Sequence, residues 1–315
     1  MDGQGNKGEE EQKEKQSQEL KQQMEKQEFV NINELDNDKD SRSNNNNNTD
    51  KNPKNSDYYD EKGVPKYDEL IQYENKIREE IEQSTPLISE RLEIDYLTKE
   101  FANSEYENSI KKIVSEYQYI RTTRRDGNCF YRGFLYRLFE EIALKKNEKF
   151  YNEMLTIVKN SKELMERQGY EWLVIEDFYV NFNEELTRIY TIDKEYIVGY
   201  LEKLFANKEK SNYLIAFVRF FIAAYLKENK ILYESFIYED DFNTWISREV
   251  EPIDNECDQV QIMAIVNAFG VGVVIEYLNQ NSVDKMKFPE EGTTDPFIHL
   301  LYRPGHYDIL YPKNK

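Results

Sequence analysis

The sequence predicts an α+β fold in which many helices pack around a small, mostly antiparallel sheet near the C-terminus. Two observations support this prediction. Apolar residues recur at helical spacing through the middle of the chain, and beyond Gly270 they change to the pattern of strands. The runs VGVVIEY (271–277), FIHLLYR (297–303) and HYDILY (306–311) are β-branched and aromatic, and only Pro-Gly separates the last two. That separation predicts a C-terminal hairpin.

The chain ahead of these strands is predicted to be helical, with short polar loops between the helices. The last helix, DQVQIMAIVNAF, begins after the capping residue Asp258 and ends at Gly270. An earlier helix is predicted from Ser89, with Leu92, Tyr96 and Leu97 on its buried face. The others are predicted over residues 129–145, 149–167, 175–188, 194–206, 211–227 and 240–248.

The N-terminal part of the chain differs in composition from the rest. Residues 1–60 are rich in Glu, Gln, Lys, Asn and Ser, which predicts a disordered tail. Residues 61–86 are predicted to form a helical arm that ends at Pro86, and residues 87–315 the main folded domain. The arm has an apolar stripe at helical spacing, made of Tyr67, Leu70, Tyr73, Ile77 and Ile81.

The net charge of the chain is −19, from 42 basic and 61 acidic side chains. This balance argues against nucleic acid as the main partner, because it provides no basic surface for phosphate groups, and it favours a protein partner. The N-terminus has no apolar signal-peptide core, and no apolar run reaches the roughly 18 residues that span a bilayer. Two distant cysteines then indicate a reducing compartment, the cytoplasm and also the nucleus. We expect a monomer that does not bind membranes.

The stretch RDGNCFYRGF (125–134) contains the strongest candidate for a reactive residue, Cys129. Asp126, Gly127 and Asn128 are turn and capping residues, and the apolar stripe that follows predicts a helix. Cys129 would then lie in the first helical turn, where free N–H groups and the helix dipole favour a thiolate. The N–H groups of the loop from Asp126 to Cys129 could also bind the oxyanion of a tetrahedral intermediate.

A cysteine nucleophile needs a base, and the chain has only two histidines, His299 and His306. His299 lies between apolar residues on a predicted strand, so we expect a structural role. His306 follows the predicted turn, and both it and Asp308 would project from the same face of an extended strand. A carboxylate in that position can orient the imidazole and leave its other nitrogen for Cys129.

Each of these residues also has an alternative interpretation. Cys129 could be an inert core residue, because a cysteine in a helix usually is. A zinc site made of Cys129, Cys257, His299 and His306 is opposed by the absence of C-x2-4-C and H-x3-5-H pairs. Cys257 lacks a glycine-bearing turn before it and is interpreted as a bystander. A disulfide between the two cysteines is not expected in a reducing compartment.

Two stretches resemble a known family. YIRTTRRDGNCFYRGF (119–134) and LLYRPGHYDILY (300–311) are similar to the otubains, a branch of the ovarian-tumour class of cysteine deubiquitinases. The likeness extends in the same order over roughly residues 64–312. The DGNCF motif is moderately specific alone, and with the second stretch at the far end of the chain it is highly specific.

This resemblance implies a papain-like cysteine protease fold in which Cys129 is the nucleophile, His306 the general base and Asp308 the residue that orients it. Asp126 would shape the oxyanion hole through its backbone. The implied substrate is ubiquitin joined through an isopeptide bond, in ubiquitin and polyubiquitin chains, which is cleaved through a thioester intermediate. No metal and no cofactor is implied.

The longer otubains have a helix ahead of the catalytic core that contacts a second ubiquitin, and residues 67–83 match that region. The resemblance therefore implies a preference for the linkage that sends proteins to the proteasome. It also implies ubiquitin-conjugating enzymes as partners, so the alternative function is a non-catalytic binder and inhibitor of ubiquitin-charged conjugating enzymes. An arm that only packs on the core would have neither property.

The chain departs from the family pattern at three positions. Arg125 replaces a frequent proline beside the oxyanion loop, and His299 occupies a strand position that is usually aromatic. Gly133 replaces an alanine inside the predicted helix, which costs about 1 kcal/mol of helix propensity. None of these changes removes a reacting group.

Overall fold

The computed structural model describes residue 76 and residues 85–313, except 239–240, 281 and 290–295. The predicted tail over residues 1–60 lies outside the described residues. So do the five residues of the predicted arm stripe, which are Tyr67, Leu70, Tyr73, Ile77 and Ile81.

Helices dominate the described chain, and the predicted helices between residues 129 and 227 are present with small shifts of their ends. Asp258 caps the last helix by accepting from the Gln261 N–H at 2.9 Å, and Gly270 ends it with φ 62°, as predicted. The α-helices in the described ranges are α1 (Asp95–Glu100), α2 (Glu107–Glu116), α3 (Cys129–Lys145), α4 (Glu148–Arg167), α5 (Trp172–Thr191), α6 (Lys194–Ala206), α7 (Lys208–Glu228), α8 (Lys230–Tyr233), α9 (Phe242–Trp245) and α10 (Gln259–Phe269).

A single mixed sheet accompanies the helices, in the strand order β1-β2-β6-β5-β3-β4. Its strands pair antiparallel except β3 with β5, which are parallel, so the predicted α+β class is confirmed. Arg303 pairs with His306 across the predicted C-terminal hairpin. The strands are β1 (Leu92–Glu93), β2 (Tyr117–Arg121), β3 (Val273–Leu278), β4 (Val283–Phe288), β5 (Ile298–Arg303) and β6 (His306–Pro312).

The predicted helix from Ser89 is wrong in its first half. The Ser89 hydroxyl does not cap a helix and instead accepts from the Thr122 N–H at 2.9 Å, while Leu92 pairs with β2. Helix α1 is short, with Leu97 buried and Tyr96 39% exposed. Hydrogen bonds to a distant strand outweigh local helix propensity here. The same distant pairing explains why β1 and β2 were not predicted. Strand β4 was also missed, because two consecutive polar residues interrupt the alternation of polarity in VDKMKF.

The main core surrounds α3, which is buried on nearly all sides. Phe130 packs against Phe134, and Phe139 packs against Phe182 of α5 and Phe205 of α6. A helix buried in this way cannot shift without disturbing several neighbours, so its first residue has a firmly held position. No helix in the described ranges is long and apolar enough to cross a membrane.

A second, smaller core lies on the other side of the sheet, beneath α1 and α2. Leu97 of α1 is fully buried there with Ile110 and Ile113 of α2. Leu310 of β6 and Ile120 of β2 supply the sheet side of this core. The N-terminal part of the folded chain is therefore tied to the strand that carries His306 and Asp308.

Replacing Leu97 with alanine should reduce the free energy of unfolding by about 2–5 kcal/mol, because it leaves a cavity in the second core. Leu173→Ala is the matched control, since Leu173 is 88% exposed and its loss should change stability by less than about 0.5 kcal/mol. Urea unfolding followed by circular dichroism measures both values. Equal losses in the two variants would show that α1 is not packed as described.

Candidate active site

The candidate site lies where the start of α3 meets β6. Cys129 is the first residue of α3, and His306 and Asp308 are on β6, as the sequence predicts. The Phe130 and Tyr307 rings pack edge to face with centroids 5.2 Å apart. A backbone hydrogen bond from Tyr307 also reaches the Cys129 thiol. The structure therefore brings the cysteine together with the histidine and the carboxylate.

Asp308 is completely buried, and both of its carboxylate oxygens are bound. Oδ1 accepts from His306 Nε2 at 3.0 Å and from the Thr123 N–H at 2.9 Å, and Oδ2 pairs with the Arg303 guanidinium. Burial by itself would raise the pKa of Asp308, but the His306 hydrogen bond and the Arg303 charge hold it below its ordinary value. Asp308 is thus an ionised acceptor, and it is aimed at His306.

His306 is buried, and its two ring nitrogens have different surroundings. Nε2 lies at hydrogen-bond distance from Asp308 Oδ1. Because an ionised carboxylate can only accept, the neutral imidazole carries its proton on Nε2. Nδ1 has no hydrogen-bond partner in the described part of the chain. The unpaired nitrogen is the one left to accept a proton, which is the arrangement that a general base requires.

The Cys129 thiol is 5% exposed, and its protonation differs from the sequence expectation. Burial raises its pKa to about 11, and the negative charges of Asp126 and Asp308 act in the same direction. The hydrogen bond from Tyr307 and the charge of Arg132 lower the pKa only in part. The predicted position at a helix start is confirmed, but the predicted thiolate is wrong for this structure, because desolvation outweighs the helix start.

The oxyanion loop, residues 126–129, presents the Cys129 N–H as a backbone donor. The Asn128 carbonyl accepts from the Arg132 N–H at 2.9 Å, so it points into α3. Because C=O and N–H point in opposite directions across a trans peptide, the Cys129 N–H points out of the helix start. The Asp126 N–H donates to the Arg124 carbonyl just before the loop, and the Asn128 N–H donates to Asp126 Oδ1, so both of these N–H groups are already engaged.

Asp126 acts through its side chain as well as its backbone. Its carboxylate forms two hydrogen bonds with the fully buried Arg132 guanidinium, at 3.0 and 2.8 Å, and also accepts the Asn128 N–H at 3.0 Å. These bonds tie the turn to the first helical residues behind the cysteine. Gly127 has φ +74°, a conformation that glycine adopts without strain, as the turn prediction requires.

The remaining histidine and cysteine have other surroundings. His299 is on β5, with Nδ1 3.0 Å from the Tyr117 hydroxyl and Nε2 3.1 Å from the Pro296 carbonyl oxygen. Burial lowers its pKa to about 4, so it is neutral at pH 7. Cys257 is a buried free thiol, as is Cys129. No cluster of three or more potential metal ligands occurs among the described residues, so the zinc alternative finds no support there.

Sequence reasoning missed three residues that support the site. Arg303 stood inside the recognised LLYRPGHYDILY stretch, and Thr123 inside YIRTTRRDGNCFYRGF, but no role was assigned to either. Arg219 bonds to the oxyanion loop, and its only signal was a charge inside the apolar run FVRFFIAAYL. A charged residue in a helix that is otherwise buried is a general signal for a buried polar contact.

The family departures also have structural settings. A Cβ atom on Gly133 would lie 3.2 Å from Leu300 Cδ2 and 3.4 Å from Ile309 Cγ1, so α3 approaches the sheet closely at this position. The glycine therefore suits a tight helix–sheet contact that offsets its lower helix propensity. Arg125 is exposed beside the oxyanion loop.

Fold and site together define a class of protein. A cysteine at the start of a buried helix, a histidine and a carboxylate on a neighbouring antiparallel strand, and a backbone N–H beside the thiol are the parts of a cysteine peptidase with a papain-like arrangement. The chain also matches the sequence model of the Peptidase C65 Otubain family over residues 80–312. It belongs to the otubain family and is a cysteine-type deubiquitinase.

Several relatives are similar along most of their length. The chain is 36% identical to human ubiquitin thioesterase OTUB1 over 252 residues, which cover 78% of this chain and 90% of the relative. It is 29% identical to human ubiquitin thioesterase OTUB2, covering 74% and 99%. A solved structure of h/ceOTUB1 with ubiquitin aldehyde and UBC13~Ub superposes with TM-score 0.72 at 29% identity, covering 79% of this chain and 99% of that one.

The raised pKa of Cys129 predicts slow alkylation of the free protein at neutral pH. The rate with iodoacetamide should rise about tenfold per pH unit between pH 7 and 10, because the reactive thiolate fraction rises in that way below a pKa of about 11. Cys257→Ser leaves Cys129 as the only thiol, and intact-mass spectrometry follows its reaction. The protein in which both Cys129 and Cys257 are replaced by serine is the blank. A rate that levels off below pH 8 would contradict the buried, protonated thiol.

Replacing Arg303 with glutamine should raise the pKa of Asp308, because the favourable charge beside the carboxylate is lost. A carboxylate with a lowered pKa stabilises the fold above its unfolded pKa and loses that contribution as pH falls through the folded value. The variant should therefore lose about 3–5 kcal/mol of stability at pH 7, the usual result of breaking a buried pair. The acid limb of its pH–activity profile should also move to higher pH.

The matched control for this change is Glu100→Gln, which removes the other partner of Arg303 but leaves Asp308 paired. Since the Glu100 side chain is 33% exposed, its loss should change stability by less than about 1 kcal/mol. Urea unfolding at several pH values and a pH–rate profile measure both variants. Identical acid limbs in wild type and Arg303→Gln would show that Arg303 does not support the Asp308 charge.

Proposed function

We propose that this chain hydrolyses isopeptide bonds in ubiquitin and polyubiquitin chains, with Cys129 as the nucleophile. The observation that carries the proposal is the pairing of His306 with Asp308 on the strand beside the Cys129 thiol. Relatives named as ubiquitin thioesterases support the choice of substrate.

The first half of the reaction is acylation of the cysteine. The Cys129 sulfur attacks the isopeptide carbonyl carbon while the thiol proton moves to Nδ1 of His306, which has no hydrogen-bond partner among the described residues. The developing oxyanion accepts a hydrogen bond from the Cys129 N–H. When the intermediate collapses, the carbon–nitrogen bond breaks, and His306 gives the proton to the leaving lysine amine. The product is a thioester between Cys129 and the ubiquitin C-terminus.

The second half is hydrolysis of this thioester. His306 removes a proton from a water molecule, which attacks the thioester carbonyl, and the Cys129 sulfur leaves and recovers its proton. Asp308 keeps its charge throughout and orients the imidazole, since its pKa is lowered and its oxygens are bound. No metal or cofactor is needed for any step.

Substrate binding has to change the surroundings of the thiol before the attack. Cys129 is 5% exposed, and burial favours its neutral form. A bound ubiquitin C-terminus would replace some of the groups that cover the sulfur and allow proton transfer to His306. The free enzyme would thus be poorly reactive toward other electrophiles.

We further propose the preference for the proteasome-targeting linkage, which depends on the predicted arm over residues 61–86. Its apolar stripe and charged opposite face suit a segment that orders on a second ubiquitin. We also propose that the chain acts as a monomer, in the cytoplasm and also in the nucleus.

A second function, binding and inhibition of ubiquitin-charged conjugating enzymes, is favoured by two structural neighbours. These are complexes of h/ceOTUB1 and ubiquitin aldehyde with UBC13~Ub and with UBCH5B~Ub, both at TM-score 0.72. This function would survive Cys129→Ala and would be lost when residues 64–83 are deleted. Fluorescence anisotropy with a ubiquitin-charged conjugating enzyme measures the binding, and unchanged affinity after the deletion would refute it.

A panel of di-ubiquitins of every linkage tests the main proposal. Wild type should cleave the proteasome-targeting linkage fastest, and Cys129→Ala should bind the same di-ubiquitin without cleaving it, because the nucleophile is gone. Gel electrophoresis follows the cleavage. Cys257→Ser is the matched control and should cleave at a rate close to wild type. Cleavage by Cys129→Ala equal to wild type would overturn the mechanism.

A further inference from the structure

Arg219 is a fully buried charge in an apolar helix. It lies in α7 between Val218 and Phe220, and its exposed fraction is 0%. No carboxylate in the described ranges lies within ion-pair distance of its guanidinium. Burial of an unpaired charge is costly unless polar groups compensate for the lost water. If position 219 contributed only to packing, an apolar residue there would be more stable than arginine. The hydrogen bonds of Arg219 therefore need an explanation.

The Arg219 guanidinium bonds to two separate loops. From Nη2 it donates to the Gly127 carbonyl at 3.2 Å and to Asn128 Oδ1 at 2.9 Å, both in the oxyanion loop. Nη2 also donates to the Asn255 carbonyl at 2.6 Å, so one of its two hydrogens is shared between two acceptors, and Nη1 donates to the Val250 carbonyl at 3.1 Å. We call the segment that contains the last two acceptors, residues 250–255, the supporting loop. Its carbonyls and the oxyanion loop therefore share one charged donor.

Tyr131 fixes the guanidinium from one face. Its ring lies 4.1 Å from Arg219 Cζ, at cation–π distance, and its hydroxyl donates to Gln261 Oε1 at 2.5 Å. Tyr131 is two residues after Cys129 on α3, so the arginine is held against the helix that carries the nucleophile.

The contacts of Arg219 determine the direction of one peptide plane. The Gly127 carbonyl is held by Arg219, and the N–H of the same peptide, on Asn128, is held by Asp126 Oδ1 at 3.0 Å. Both ends of this planar group are thus fixed. The next peptide in the chain provides the Cys129 N–H, whose direction depends on the plane before it.

The supporting loop also contacts the oxyanion loop directly. Asn128 Nδ2 donates to Asp254 Oδ1 at 2.7 Å, and the Asp254 N–H donates to Asn128 Oδ1 at 3.2 Å. A Cβ atom on Gly127 would lie 1.9 Å from the Asp254 carbonyl oxygen, so the two backbones touch. The hydrogen bonds between the two loops form only when the loops have the right relative orientation. Arg219 lies where the two loops meet.

We propose that Arg219 is a positioning residue that holds the oxyanion loop and thereby aims the Cys129 N–H at the developing oxyanion. The inference rests on the acyl-transfer reaction proposed above. Arg219 does not touch the substrate. Its effect on the rate comes through Gly127 and Asn128, and it should appear only in steps that form a tetrahedral oxyanion.

Reactivity of the thiol separates this role from a general structural one. Alkylation of Cys129 by iodoacetamide displaces iodide at a saturated carbon and forms no oxyanion, so it reports the thiol alone. Hydrolysis of ubiquitin with a fluorogenic C-terminal amide forms the oxyanion. A positioning role should affect the second reaction and leave the first unchanged.

The experiment compares Arg219→Gln, Arg219→Lys and a control, Arg137→Gln, in the full-length chain. Arg137 is another buried arginine, on α3, and it bonds to Glu140 and the Phe297 carbonyl, away from both loops. We expect kcat of Arg219→Gln to fall about 100-fold, the usual effect of losing an oxyanion donor, with KM changed less than about threefold. Its alkylation rate should remain within about twofold of wild type, and Arg137→Gln should keep wild-type kcat.

Arg219→Lys keeps the charge but has one ammonium group that cannot reach all four acceptors, so its kcat should be intermediate. If Arg219→Gln does not fold, this variant decides the test. Unchanged kcat in the folded Arg219 variants, or equal losses of kcat and alkylation rate, would overturn the inference. An inactive wild type would instead refute the proposed function, so the two failures are distinguishable.

Discussion

The buried Asp308 carboxylate holds three parts of the chain together, and the site depends on this contact. It accepts from the backbone of Thr123, from the imidazole of His306 and from the guanidinium of Arg303. A carboxylate in an apolar interior is stable only when its oxygens are fully bound. The contact therefore stabilises the fold only in the geometry that also orients the His306 imidazole, the proposed general base. The Thr123 hydroxyl also donates a hydrogen bond to the Tyr307 carbonyl at 2.5 Å, which ties Thr123 to β6.

Three arginines support the site in a similar way: Arg132 and Arg219 are fully buried, and Arg303 is partly buried. Arg132 binds Asp126, Arg219 binds the Gly127 carbonyl and Asn128, and Arg303 binds Asp308. A guanidinium offers several donors in one rigid plane, so it fixes the direction of its acceptors as well as their distance. Lysine could compensate the same charges but would fix fewer directions. The positions of the oxyanion loop and of the Asp308 carboxylate are thus fixed by arginine side chains that take no part in the proposed reaction.

The thiol combines a good position with low intrinsic reactivity. Its place at the start of α3 favours an anion, yet burial and the charges of Asp126 and Asp308 raise the pKa of Cys129 to about 11. Cys129, the proposed nucleophile, is therefore held as a thiol against the strand that carries His306, whose Nδ1 has no hydrogen-bond partner among the described residues. In the proposed mechanism, proton transfer would then depend on bound substrate, which would limit reaction with small electrophiles.

Local sequence determined the turn before Cys129, the helix after it and the hairpin that carries His306 and Asp308, because neighbouring residues decide these features. Helical and strand periodicity likewise predicted the α+β class. Only the tertiary structure decided that Arg219 reaches the oxyanion loop, since its acceptors come from distant segments that fold together. It also decided β1 and β2, whose pairing is non-local, and the neutral state of Cys129, because burial is a property of the assembled core and outweighs the local effect of the helix start.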